Sequence, residues 1–381
     1  MLRMKIVGLV LLVAGLAANA WACSLCASMN YSRATLREDL ATARLVIFGA
    51  LANARVGADG KGATDLQVET VLKSDPILAE RKVLTLPRFV PVDPKSPPKF
   101  LVFCDVINGE IDAYRGSPVK SGAVVEYLQA AAALPADRVK QLLFYFRYLD
   151  HPDAEIAQDA FLEFAKTQDA DIARVASKLD PARLKKLIID PATPPERLGL
   201  FAYLLGASGG PAEALFLSEL LNDTSERLRP AFGGIVAGLI QLDPKSGWAR
   251  THAILSDKNR PFSERLAALG ALRFFHGANP TAARDEILRG LAGVLTQGDL
   301  ADLAVEDLRR WQWWDLTKDV LALFGKPTHS APIVKRAILR YALSCPLPEA
   351  RELVARVRGS DPELVQDVEE SLRFEKPAGG K

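Results

Sequence analysis

The sequence predicts an α+β protein in which a small β module precedes a long, entirely helical region. Residues 65–72 alternate polar and apolar side chains, which is typical of a strand with one buried face. From Gly122 to about Phe374, apolar residues recur at three- and four-residue steps, which places them on one face of a helix. Within that region a ten-residue pattern occurs twice, as IAQDAFLEFA from Ile156 and as IVKRAILRYA from Ile333.

The start of the chain has the pattern of a secretory signal peptide. Arg3 and Lys5 precede an apolar run over residues 6–18, and residues 20–22 (AWA) supply small side chains at the two positions that a signal peptidase reads. The run is too short for a membrane span. We therefore expect residues 1–22 to be removed and the mature chain to be exported, to the periplasm or the medium, without a transmembrane segment. The alternative is a retained N-terminal anchor.

The charge of the mature chain disfavours a nucleic acid as partner. Cleavage removes two of the 48 Lys and Arg residues and leaves 46, which equals the 46 Asp and Glu residues. A formally neutral protein offers no general attraction to a polyanion. We expect the partner to be another protein, whose identity the sequence does not give.

Residues 23–121 are expected to form the β module. One short helix is predicted over residues 33–42, before an apolar strand within residues 43–56 and a turn at residues 57–62. Asn108-Gly109 separates two strand-like stretches and suits the type I′ turn of a β-hairpin.

Four features of this module carry a family resemblance: CSLC at residues 23–26, ARLVIFGAL from Ala43, VETVLKSD from Val68 and FLVFC ending at Cys104. Together they resemble the netrin-like fold of the tissue inhibitors of metalloproteinases. The resemblance implies a closed five-stranded OB barrel and an inhibitor that acts through the free amine and carbonyl of Cys23. The family begins Cys-X-Cys, whereas this chain has two residues between its first two cysteines.

Residues 122–374 are expected to form stacked helical repeats, and residues 375–381 a disordered tail. Equivalent positions of the repeat are separated by 38, 30, 38, 42 and 29 residues. The positions used are Asp159, Arg197, Arg227, Arg265, Asp307 and Arg336. Tetratricopeptide and ankyrin arrays keep stricter lengths. The pattern resembles the looser HEAT or armadillo class, which implies an α-solenoid of paired antiparallel helices; an irregular helical bundle is the alternative.

All four cysteines remain in the mature chain, and export permits disulfides. We favour a structural disulfide from Cys23 or Cys26 to Cys104, with Cys345 a buried thiol. The alternatives for the first pair are a redox CxxC motif and lipidation of Cys23. The four histidines are scattered without ligand spacing, so no metal or other cofactor is expected.

Two sets of residues are candidates for contacts in the helical region. Four arginines recur at one phase of the repeat: Arg197, Arg227, Arg265 and Arg336. In HEAT-like arrays such an arginine often pairs with an aspartate of the neighbouring repeat, so the resemblance implies a structural ladder. The alternative is a row of anion-binding arginines on a concave face.

The second candidate is LRRWQWW at residues 308–314. If one helix continues through it, Trp313 lies on the polar side with Arg309 and Arg310, and an exposed tryptophan beside arginine is typical of a binding hot spot. The alternative is that the helix breaks near Asp315 and all three tryptophans pack inward.

The sequence contains no G-x-S-x-G motif, phosphate loop or dinucleotide fingerprint. We therefore expect an exported, non-enzymatic interaction protein without catalytic residues. The alternatives are a periplasmic enzyme, thiol-active or otherwise, that uses Cys23 and Cys26, and a metalloprotease inhibitor.

Overall fold

The computed structural model describes residues 33–58, 60–223 and 225–375. The predicted α+β class is confirmed: a five-stranded antiparallel sheet is followed by helices to the end of the described chain. No helix among these residues is both long and apolar enough to cross a membrane. The predicted signal peptide at residues 1–22 lies outside this range.

The sheet has the strand order β3-β2-β1-β4-β5, and every neighbouring pair is antiparallel. Its elements are helix α1 (Leu36–Thr42), β1 (Leu45–Val56), β2 (Gly62–Lys73), β3 (Val83–Leu86), β4 (Lys99–Ile107) and β5 (Glu110–Val119). The predicted hairpin between β4 and β5 is confirmed, because Asn108 and Gly109 have φ angles of 52° and 78°. Both values are those that a type I′ turn requires.

The expectation of a closed OB barrel is wrong. Strands β3 and β5 are the two edges of an open sheet, and no ladder joins them in the described chain. Strand β3 has only four residues against ten in β5, and Pro87, which follows it directly, has no N–H with which to extend the pairing. The nearest bridge is a side chain: Arg88 Nη2 lies 3.5 Å from the carbonyl oxygen of Ala113 in β5.

The two faces of the sheet have different partners. Along β1, Leu45 and Ile47 belong to a small core on one face, whereas Val46 and Phe48 belong to a second core that continues into the helices as far as Val368. The alternation follows from the two-residue period of a strand. The sheet therefore serves as one wall of the helical core as well as having a core of its own.

The change from strand to helix falls between Val119 and Ala123, close to the predicted boundary at residues 121 and 122. The helices that follow are α2 (Ala123–Ala132), α3 (Arg138–Phe146), α4 (Ala154–Ala165), α5 (Asp169–Val175), α6 (Pro181–Ile189), α7 (Pro195–Ser208), α8 (Pro211–Leu220), α9 (Phe232–Leu242), α10 (Pro244–Ser256), α11 (Phe262–Ala278), α12 (Arg284–Leu295), α13 (Ala301–Trp311), α14 (Thr317–Leu321), α15 (Pro332–Ser344), α16 (Pro348–Ser360) and α17 (Pro362–Phe374).

Asp-Pro pairs start three of these helices. Asp180, Asp243 and Asp361 are the N-cap residues of α6, α10 and α17, and each carboxylate accepts a hydrogen bond from a backbone N–H in the first turn. The proline that follows occupies the first helical position, where its missing N–H costs nothing.

Most helices contact both their neighbour in sequence and the helix after it. Thus α7 packs on α9 and α9 on α11, while α10 packs on α12 and α13 on α15. The backbones of α7 and α9 approach closely, since a Cβ built on Gly234 of α9 would overlap the carbonyl oxygen of Gly199 of α7. A Cβ on Gly206 of α7 would likewise overlap Gly238 of α9. Only glycine permits this approach of two backbones.

Candidate functional site

Helix α4 carries three acidic residues that are almost completely buried. Glu155, Asp159 and Glu163 are 8%, 3% and 1% exposed, and their spacing of four residues places them on one face of the helix. That face meets α1 and strand β5, through contacts that span 123 and 40 residues of the chain. Acidic residues are rarely buried unless they are paired.

Four arginines from three segments, the region of α1, strand β5 and helix α3, supply the pairing. Arg37 Nε lies 2.9 Å from Glu163 Oε1, and Arg138 Nη1 lies 3.0 Å from Glu163 Oε2. Arg115 of β5 pairs with Glu155 at 3.0 Å and also with Asp39 of α1. We call this set the junction cluster: Arg33, Arg37, Asp39, Arg115, Arg138, Glu155, Asp159 and Glu163.

Asp159 is the centre of the junction cluster and has no arginine of its own. Its Oδ1 accepts a hydrogen bond from the backbone N–H of Leu36 at 2.6 Å, and its Oδ2 accepts one from the hydroxyl of Tyr127 at 2.7 Å. Burial raises the pKa of Asp159 to about 7, against the effect of these two hydrogen bonds. The nearby carboxylates of Glu163 and Glu155 also contribute to this raised pKa. The group therefore changes its protonation close to neutral pH.

The geometry of the junction cluster suits holding elements together better than chemistry on a substrate. A general acid or base must reach the proton that it transfers. Both oxygens of Asp159 accept hydrogen bonds from groups of the protein itself, and the side chain is 3% exposed. The cluster instead joins α1, α3, α4 and β5.

Sequence reasoning missed the junction cluster. We treated Asp159 only as a repeat position and gave Glu155 and Glu163 no role. The available signal was the spacing of three acids by four residues in a helix whose other residues are mostly apolar. The arginines that pair with them lie up to 126 residues away, so no local pattern connects the two sets.

The predicted disulfide has one end inside the described chain. Cys104 of β4 is 0% exposed and has no disulfide partner among the described residues, and burial raises the pKa of its thiol to about 12. Cys23 and Cys26 lie outside the described residues, so the disulfide, the redox motif and the lipid anchor all stay predictions. Cys345 is a buried free thiol, as expected.

The four repeat arginines make contacts between helices, of two kinds. Arg265 pairs with Asp299 at 2.6 Å and Arg336 with Asp367 at 2.9 Å, each with an aspartate further along the chain. The other two reach back instead: Arg197 donates to the Gln158 side chain at 2.8 Å, and Arg227 to the carbonyl oxygen of Ile188 at 2.9 Å. Arg197 and Arg265 are 8% and 5% exposed, which does not suit a row of anion-binding side chains.

The expectation that Trp313 is an exposed binding residue is wrong. Helix α13 ends at Trp311, and Gln312 adopts a left-handed conformation with a φ of 57°. The helical phase from which we placed Trp313 on the polar side therefore does not extend to it. Trp313 is 8% exposed, and the Arg284 guanidinium lies 4.5 Å from its ring centroid. The alternative of an inward-packed tryptophan is the better description, with the break three residues before Asp315.

The two arginines grouped with Trp313 separate in the structure. Arg309 is largely buried and pairs with Glu306 at 2.8 Å and with Glu375 at 2.6 Å, whereas Arg310 is exposed. Glu375, expected in a disordered tail, is thus held at the end of α17. Residues 376–381 lie outside the described chain.

One open cavity is formed at the C-terminal end of the helical region. It has a volume of about 450 Å³ and lies between α15 and α16, with Leu343 and Cys345 on one side and Val354 and Ala355 on the other. We call it the α15–α16 groove. Arg351 and Arg358 also line it.

Among the described residues, no group of three or more His, Cys, Asp or Glu side chains is placed to hold a metal ion. No protein-family model, curated protein or solved structure matches this chain. Its function has to be inferred from its own residues.

Proposed function

We propose that the protein is an exported, non-enzymatic interaction protein that presents a stack of paired helices to a protein partner. Export is inferred from the signal-peptide pattern of residues 1–22. The stack is inferred from the way in which the helices of residues 122–374 contact one another.

The observation that carries the proposal is a recurrent offset of 34 residues between side chains in contact. Tyr203 donates to Asp169 at 2.9 Å, and Arg273 Nε donates to Asp307 at 2.7 Å. The Arg265–Asp299 pair has the same offset, as does His252, which lies 3.5 Å from Glu286. Successive units of a stack produce such an offset, because equivalent positions of neighbouring units face each other. Stacked helical units commonly provide extended binding surfaces.

The placement of the unusual ionisable groups also supports a binding protein rather than an enzyme. Burial raises the pKa of Asp307 to about 6, as it raises that of Asp159 to about 7. Perturbed carboxylates of this kind occur at active sites, but they also occur in structural ion-pair networks. Asp307 pairs with Arg273 between two helices, and Asp159 lies within the junction cluster. Both carboxylates therefore lie in contacts between elements of the fold.

The proposal is tested by fractionating cells that express the whole chain, crosslinking in the compartment where it is found, and rebinding the captured partner to the purified mature chain. We expect a processed chain beginning at Cys23 in the exported fraction, and saturable binding of the partner. The double variant Cys23→Ser, Cys26→Ser should bind equally well. An unprocessed cytosolic chain would contradict export. Thiol–disulfide turnover that disappears in the double variant would replace the proposal with the thiol-active enzyme.

A further inference from the structure

We propose that the α15–α16 groove docks an acidic amphipathic helix of the partner protein. This inference rests on the proposed function and adds to it a location and a chemistry. It also has an independent test, because a partner that binds another face would leave the proposed function standing.

The shape of the groove suits one face of a helix. Its floor is apolar and includes Leu343, Cys345 and Val354, and its volume of about 450 Å³ lies within the range of ligand sites. Arg351, Val354, Ala355 and Arg358 are separated by three, four and seven residues, so they share one face of α16. The two arginines then lie about 10 Å apart along the helix, at either end of that face.

The protein already binds an acidic amphipathic helix on the same two elements. Helix α17 packs on both α15 and α16 and buries Val365 and Val368 against them. Its acidic residues pair with their arginines: Arg336 with Asp367 at 2.9 Å, and Arg358 with Glu369. The structure therefore shows the kind of helix that this surface accepts. No residue of α17 lines the groove itself.

One of the two arginines at the groove forms no salt bridge within the described chain. Arg358 is paired with Glu369, whereas Arg351 is exposed and has no carboxylate within salt-bridge distance in the described chain. Arg351 donates a hydrogen bond to the carbonyl oxygen of Pro346 at 3.2 Å. An apolar floor with an unpaired guanidinium at one end complements an apolar helix face with a carboxylate beside it.

The direct probe is a fluorescent synthetic peptide with the sequence of α17, PELVQDVEESLRF, titrated into the purified mature chain. We expect saturable binding. Arg351→Glu should weaken it by about tenfold, because the substitution replaces an attraction by a repulsion. Ala355→Trp, at an exposed position in the groove, should weaken it by steric exclusion with no change of charge. Arg356→Glu is the matched control: it makes the same charge change on an exposed residue of α16 that does not line the groove.

Each other outcome overturns the inference. Equal weakening by Arg351→Glu and Arg356→Glu would show general charge attraction. Binding that is lost in Arg336→Glu but kept in Ala355→Trp would show that the peptide replaces α17 on its own surface. Absence of saturable peptide binding would show that the groove does not take a helix.

Discussion

Two interfaces of the molecule hold their elements together by opposite means. The junction cluster joins α4 to α1 and β5 through buried charges, whereas the contact between α7 and α9 brings two backbones together through glycines. We expect the first contact to be sensitive to a change of charge, and the second to a single added carbon atom. Because Asp159 of the junction cluster has a pKa of about 7, the strength of the first contact should also depend on pH.

Buried charges are an expensive way to join elements. Removing an ion from water has a desolvation cost of several kcal/mol. The mutual attraction of the pair offsets that cost only when the geometry is good. The apolar contact of α7 with α9 carries no such cost, but it needs glycine, which loses more backbone entropy on folding than any other residue. The following substitutions separate the two designs, from the largest expected effect to the smallest.

The largest effect is expected for Gly234→Val in α9. The added carbons would overlap the carbonyl oxygen of Gly199, so α7 and α9 must move apart and their core loses contacts. We expect a loss of more than about 4 kcal/mol in the free energy of unfolding, measured by urea denaturation. Gly270→Val is the control, because a Cβ at Gly270 meets nothing within 4 Å. Similar losses in both variants would refute close backbone packing as the cause.

Arg115→Met should cost roughly 3–5 kcal/mol, since it leaves Glu155 and Asp39 buried without their shared cation. The methionine keeps most of the side-chain volume, so the loss reports charge. Arg174→Met removes an exposed ion pair with Asp171 and should change the free energy of unfolding by less than about 0.5 kcal/mol. If the two substitutions cost the same, the junction cluster contributes no more than a surface pair.

Asp159→Asn tests the dependence of the junction on pH. Because the folded-state pKa of about 7 lies above the ordinary value of an aspartate, the protonated form favours the folded state. That stabilisation is complete below about pH 4 and is lost as the pH rises through 7. Asparagine does not titrate. The stability of the variant relative to the parent should therefore increase by on the order of 2 kcal/mol between pH 5 and 8.

The measurement is the free energy of unfolding at several pH values in the parent and the variant. Asp307 also has a raised pKa, but it is present in both proteins, so its contribution cancels in the difference. A difference that stays constant from pH 5 to 8 would show that Asp159 does not titrate in this range.

The smallest effect is expected for Gly270→Ala in α11. Open space surrounds this position, so alanine adds no clash and removes the entropy cost of a helical glycine. A gain of about 0.5–1 kcal/mol should appear in the same denaturation experiment. A loss of stability would mean that α11 has a close neighbour near Gly270. Close packing against glycine would then not distinguish the α7–α9 contact from α11.

Local chemistry explains which parts of the fold could be predicted from the sequence. Asn108-Gly109 fixed the β4–β5 turn, because few residues adopt a positive φ easily. Asp180-Pro181 and Asp361-Pro362 fixed helix starts, because capping involves residues only a few positions apart. Sheet closure failed as a prediction, since it depends on whether β3 meets β5, and neither strand encodes that meeting in its own pattern.

The candidate sites were harder to predict than the fold. Trp313 was misplaced because one left-handed residue, Gln312, ends the helix, and glutamine gives little warning of such a cap. The unpaired state of Arg351 depends on what lies across the groove, which sequence spacing does not reveal. A site formed by residues that are distant in the chain has no local sequence pattern by which it could be predicted.

The contact between α1 and α4 has a consequence for the order of assembly during synthesis. Arg33, Arg37 and Glu38 meet Glu155, Glu163 and Lys166 in ascending order, at separations of 122, 126 and 128 residues. The ribosome therefore makes α1 long before its partner helix. Closing so long a loop has an entropic cost, which is offset only when the contact between α1 and α4 has formed. Helix α1 can dock on α4 only after residue 166 has been made, although helices α5 to α17 are still to follow. Until residues 155–166 have been made, the charged side chains of the α1 segment have no α4 partners with which to pair.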